Sequence, residues 1–146
     1  MRVTLARQLP LLRFKELDFS DNTLCPGGPQ VIAASLANPE CRLELLDLIS
    51  TAVGDEGAAI LAPSLRNNQR LARMTLEDNS ITETGWDAFS SILCDASSIN
   101  ATHGSNHTLQ ELGFHQTMSQ DIDAMLELNS DQDKSGVAAS KILLAH

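Results

Sequence analysis

The side chains in this 146-residue chain that could do specific chemistry gather in a few places. Asp131-Gln-Asp133-Lys-Ser135-Gly136 has the D-x-D-x-S-G order that opens a helix-flanked calcium loop, with oxygen donors alternating along the chain. Such a loop closes with a bidentate glutamate at its twelfth position. Counted from Asp131 that position is Ile142, and Lys134 adds a repelling charge. The stretch is therefore read as a turn that caps a helix, with a calcium-responsive domain as the remote alternative. His103 and His107 are four apart, but they fall in a polar stretch with no acid or cysteine at metal-ligand spacing. Cys25, Cys41 and Cys94 form an odd, scattered set with no Cys-x-x-Cys pair, so neither zinc nor a disulfide framework is indicated. Phosphate loops, nucleophile elbows and dinucleotide fingerprints are absent from the sequence. The reading is of a protein that is not an enzyme and has no cofactor and no metal.

Bulk properties narrow the class further. A composition of 42% hydrophobic and 20% charged residues is that of a folded globular chain. The net charge of −9 argues against nucleic acid, whose binding needs clustered Lys and Arg, and suits a basic protein partner. No long apolar run or signal peptide is visible, so no membrane is implied and the expected location is cytoplasmic. The sequons at Asn100 and Asn106 are then read as chance.

The elements that position the remaining candidates come from a repeat. Leu71-Ala-Arg-Met74-Thr-Leu76-Glu-Asp-Asn79-Ser-Ile81 follows L-x-x-L-x-L-x-x-N-x-L, alternating apolar and polar as a half-buried strand does before a turn at Asn79. Phe14 to Leu24 fits the same template, with Leu17, Phe19 and Asn22 at the key places. Leu43 to Val53 fits with Thr51 in place of asparagine. Leu109-Gln-Glu-Leu112-Gly-Phe114 restores the strand, but Thr117 and Ser119 make a poor turn. The steps between Leu17, Leu46, Met74 and Leu112 are 29, 28 and 38 residues. Each good turn is followed by a glycine (Gly28, Gly57, Gly85) and then an i, i+4 apolar ladder: Ile32 and Leu36, Leu61 and Leu65, Phe89 and Leu93. That period is helical.

A strand, turn and helix repeating every 28 or 29 residues resembles the leucine-rich-repeat family, in its ribonuclease-inhibitor-like branch. Val53-Gly-Asp-Glu-Gly-Ala-Ala-Ile-Leu-Ala is similar to that branch's helix entry, and the resemblance covers roughly residues 12 to 118. It implies an α/β leucine-rich-repeat solenoid: right-handed β-α repeats, a parallel sheet on the concave face and helices outside. The expected strands lie near 16–20, 45–49, 73–77 and 111–115. An inserted surface loop takes about residues 95–108, and residues 1–118 form the array. Two amphipathic helices in 119–146 read as a C-terminal helical cap. Met1 to Leu9 is either a short lid over the first strand or the remnant of a longer array.

The residues left for function are those on the outward side of the strands. They are Glu16, Asp18 and Ser20; Leu45, Asp47 and Ile49; Arg73, Thr75 and Glu77; and, from the last strand, Glu111 and His115. Parallel neighbours sit about 4.8 Å apart, so Asp18 and Asp47 should stack closely. The resemblance implies that this face grips a partner protein, and its acids imply a basic one. The alternative it implies is a fragment of a regulatory repeat protein, a GTPase activator or an innate-immune-type receptor. Trp86, next to Gly85, is either an interface anchor or a side chain packed beneath the inserted loop or against the next helix.

Overall fold

The computed structural model describes residues 11–146; the stretch Met1 to Leu9 lies outside the described residues. After a short 3₁₀ turn at Leu11–Arg13 the chain alternates strand and helix. The order is β1 (Glu16–Asp18), α1 (Gly28–Ala37), β2 (Leu45–Asp47), α2 (Gly54–Ser64), β3 (Arg73–Thr75) and α3 (Glu83–Leu93). Then follow α4 (Ile99–His103), α5 (Gln120–Asn129) and α6 (Lys134–Ala145). The sheet has the order β1-β2-β3, all parallel, and Leu17, Leu46 and Met74 sit opposite one another. Parallel neighbours are what a helical crossover between successive strands produces.

Three residues per strand understate the pairing. Phe19 N donates to Asp47 O, Asp21 N to Ile49 O, Leu48 N to Thr75 O and Ser50 N to Glu77 O, so the ladder runs on into the turns. The turns themselves are in register. Asp21, Ser50 and Asp78, each just before Asn22, Thr51 or Asn79, take left-handed φ angles of 61°, 55° and 56°. Aspartate tolerates that region better than branched residues do.

One apolar core joins the two halves of the units: Leu46, Leu48, Met74 and Leu76 from the strand segments meet Ile32, Leu36, Leu61, Leu65, Phe89 and Leu93 from the helices. The glycines at the helix entries permit close packing. A Cβ on Gly85 would lie 2.5 Å from Asp55 Oδ1 of α2 and 2.6 Å from Ile81 Cγ2. Helix α1 packs on α2 and α2 on α3 side by side, while α5 contacts α3, and α6 contacts both α4 and α5.

Three local features differ from the sequence expectation. The fourth strand is reduced to a single parallel bridge between Arg73 and Glu111. Gly113 turns the chain there with φ at +88°, and Phe114 leaves the inward register, 82% exposed. The inserted stretch is not all loop, because Ser98 caps α4 by accepting from Ala101 N. Its buried Thr102 donates to Asp95 O, tying the segment down. Thr75, expected to face outward, is buried.

Candidate functional site

The row of outward side chains starts from strand register. Glu16, Leu45, Arg73 and Glu111 are successive partners, as are Asp18, Asp47 and Thr75. Glu16, Asp18 and Arg73 are exposed; Leu45, Asp47, Ile49, Ser20, Glu77, Glu111 and His115 are half-buried. Asp18 and Asp47 thus lie directly opposite each other, an arrangement of like charges that costs stability.

Hydrogen bonds hold these carboxylates in place. The Ser20 hydroxyl and the Ser20 N–H, at 2.8 Å from Oδ1, hold the Asp18 carboxyl below its ordinary value and keep it ionised. Thr75 Oγ1 donates to Asp47 Oδ1 at 2.5 Å, which explains the burial of Thr75: it orients an acid instead of facing solvent. Arg73 Nε meets Glu111 Oε2 at 2.7 Å, an exposed pair that neutralises the far end of the row. Among the described residues no ion pair reaches Glu16, Asp18 or Asp47, so the β1–β2 half carries the uncompensated charge.

Two of the candidates are engaged elsewhere. The Glu77 carboxylate lies over Gly113, where a Cβ would come within 2.4 Å of it, and its Oε2 is buried without a partner. The ring of His115 packs on Trp86 at a tilt of 44°, with centroids 4.1 Å apart, and its Nε2 lies 2.7 Å from Leu112 O. Trp86 is 1% exposed and donates from Nε1 to Thr117 Oγ1 at 2.9 Å. Its ring and hydrogen-bond partners beyond α3, His115 and Thr117, come from the fourth turn, so it is a packed side chain and not an exposed anchor.

The other sequence candidates resolve into structural roles. Asp133 caps α6 by accepting from Gly136 N at 3.1 Å. His107 Nε2 lies 2.9 Å from His103 O, and burial pushes the ring's pKa down. Asn106 is buried with its Nδ2 donating to Leu65 O and Asn68 O, so the folded chain cannot offer that sequon for glycosylation. No group of three His, Cys, Asp or Glu side chains that could hold a metal is found among the described residues. No described helix is long and apolar enough to cross a membrane.

Asn79 joins the turns. Its Nδ2 donates to Leu48 O, Leu76 O and Glu77 O, and its Oδ1 accepts from Thr51 N and Val53 N. A second asparagine series at the opposite end of the units escaped the sequence reading. Asn68 and Asn106 each accept two N–H groups from the following strand entry and donate to the preceding unit. The signal that could have found it is Asn-x-x-Leu, present at Asn68-Gln-Arg-Leu71 and Asn106-His-Thr-Leu109.

Parallel strands in register, an asparagine-bridged turn and helix entries 28 to 29 residues apart define a repeat protein of the leucine-rich kind. No family model matches the chain. It is 30% identical over 113 residues to mouse NACHT, LRR and PYD domains-containing protein 14, covering 77% of this chain and 11% of that protein. To pig ribonuclease inhibitor it is 34% identical over 90 residues, covering 62% of this chain and 19% of the relative. The human NACHT, LRR and PYD domains-containing protein 14 gives 34% over 77 residues, 53% of this chain and 7% of the relative. The chain thus spans less than a fifth of the length of these relatives. It belongs to the leucine-rich-repeat family, in the ribonuclease-inhibitor-like branch.

Proposed function

We propose that this chain is a protein-interaction module, a short solenoid whose concave strand face binds a partner protein with a basic surface. Residues 119–146 close the array as a helical cap, the compartment is the cytoplasm, and the module binds without catalysing. The observation that carries this reading is the row of Glu16, Asp18 and Asp47, which no ion pair among the described residues reaches, beside the half-buried Leu45 and Ile49. Two aspartates held opposite each other repel, and a cationic group placed across them relieves the repulsion. An apolar centre ringed by charge is the usual plan of an interface. One relative is named for inhibiting a ribonuclease, which is itself a protein.

A second reading is favoured by the other relatives. Their names join the repeats to NACHT and PYD domains, and this chain matches only 7 to 11% of their length. On that reading the module is one part of a larger regulatory protein, and the same face serves the same purpose there.

The test uses the full chain as bait, alongside Asp18→Lys with Asp47→Lys. Any partner retained by the wild type should bind the double variant roughly tenfold or more weakly, with binding that loses most of its salt dependence. Unchanged folding with equal affinity and equal salt dependence would contradict the role of this face.

A further inference from the structure

The helix ends of the repeat are capped by a recurring device. Leu36, Leu65 and Leu93 stand at equivalent places at the ends of α1, α2 and α3, where backbone carbonyls lack helical partners. Asn68 Nδ2 donates to Leu36 O at 2.8 Å. Asn106 Nδ2 donates to Leu65 O at 2.6 Å and to the carbonyl of the preceding asparagine, Asn68, at 3.0 Å. At the third place the donor changes. Lys141 Nζ, from α6, donates to Leu93 O at 2.6 Å and to Asn106 O at 2.8 Å. These are the same two positions: the carbonyl that ends a helix and the carbonyl of the last asparagine.

Asn129 is the next asparagine in the series, and it does only half the task. Its Nδ2 donates to Asn106 O and Leu109 O, while its Oδ1 is buried without a donor. In Asn68 and Asn106 that oxygen accepts N–H groups of the strand entry that follows. After Asn129 the chain turns into α6 instead, so those donors are not supplied, and the Asn129 amide donates to Leu109 O and not to Leu93 O.

We propose that Lys141 terminates the asparagine ladder: its amine takes the place that the amide of a further repeat would occupy, so that α6 seals the end of the array against stacking by another repeat unit. This rests on reading residues 119–146 as the cap. A lysine suits the position because it brings three donors and no acceptor on a long stem, so no lone pair is left unpaired. The cost is desolvation. Lys141 is fully buried, and burial pushes its amine down to about 8. The charged and titratable groups around it are the Cys94 thiol at the end of α3, Lys134 of its own helix and His107 beyond α4. Backbone carbonyls, not a carboxylate, hold the charge.

The sign of the pH effect follows. The folded chain releases the Lys141 proton near 8 and the unfolded chain near 10.5, so stability rises with pH through that window. Burial raises the Cys94 thiol, which pulls the other way, so the comparison is made in a Cys94→Ala background. In the full chain, that protein should gain stability to urea between about pH 8 and 10.5, and Lys141→Met should not. Amide exchange in α6 should also speed up by roughly tenfold in Lys141→Met while β1 to β3 stay protected. An identical pH profile with unchanged α6 exchange overturns the assignment. Val137→Asp, which spoils the buried contact of α6, separates the two readings. If it frees α6 while Lys141→Met does not, the cap stands and the role of Lys141 falls. If it leaves α6 protected as well, the cap reading falls with it.

Discussion

Single side chains join one unit to the next. Asn79 bonds five backbone groups of two turns, and four of the five bonds are buried, where water is no substitute. Asn79→Ala should therefore destabilise by roughly 3 kcal/mol or more, since each orphaned buried group costs about 1–3 kcal/mol. A urea midpoint within a few tenths of a kcal/mol of wild type would refute this role. That asparagine was legible in the sequence because its spacing to Met74 and Leu76 is fixed by a template that recurs at Asn22, although three of its partners lie 26 to 31 residues away. The second series was not, because Asn68 and Asn106 sit in polar turns that read as ordinary loops, and the longer step hides their relation. Lys141 was less legible still. Its partners are 48 and 35 residues away on other elements, and nothing in its own neighbourhood of sequence marks it as buried.

At the scale of elements, the repeating glycines show which constraint acts. Gly85 is helical, so its role is proximity: a methyl group would meet both Asp55 Oδ1 and Ile81 Cγ2 well inside contact distance. Asp55 also accepts from Thr82 N and Oγ1, so that pushing it aside disturbs the entry of α3. Gly85→Ala gains about 1 kcal/mol of helix propensity and loses about 1–3 kcal/mol by overpacking. The net outcome expected is a loss of up to about 2 kcal/mol, read from thermal or urea unfolding, and a stabilised variant would refute the close-packing account. Strand and helix positions were readable here because period-2 and period-3.6 patterns alternate cleanly over three units. The fourth unit was misjudged where backbone conformation overrides pattern. Gly113 takes a left-handed angle with the Glu77 carboxylate above it, and this turns Phe114 outward although its spacing reads as inward. In the inserted stretch, polar composition concealed a capped helix, α4.

The whole molecule shows a division of labour between its surfaces. Helices α1, α2 and α3 pack side by side, α5 contacts α3, α6 contacts α4 and α5, and the strand face keeps the acids of β1 and β2 without ion-pair partners among the described residues. Alternation in the repeat tells which strand residues point away from the core, Thr75 excepted, since it is buried. The distribution of charge within the face was not legible in that way. It depends on Arg73 pairing with Glu111 and on Thr75 turning to Asp47, both contacts across strands distant in sequence. The central claim is that a partner docks on this face. It is tested most directly by the amide-exchange footprint that a partner, once captured, leaves on the chain. Protection is predicted at 16–20 and 45–49, with the exposed faces of α1, α2 and α3 unchanged. Protection confined to those helices, with the strand segments exchanging as in the free chain, would contradict the account.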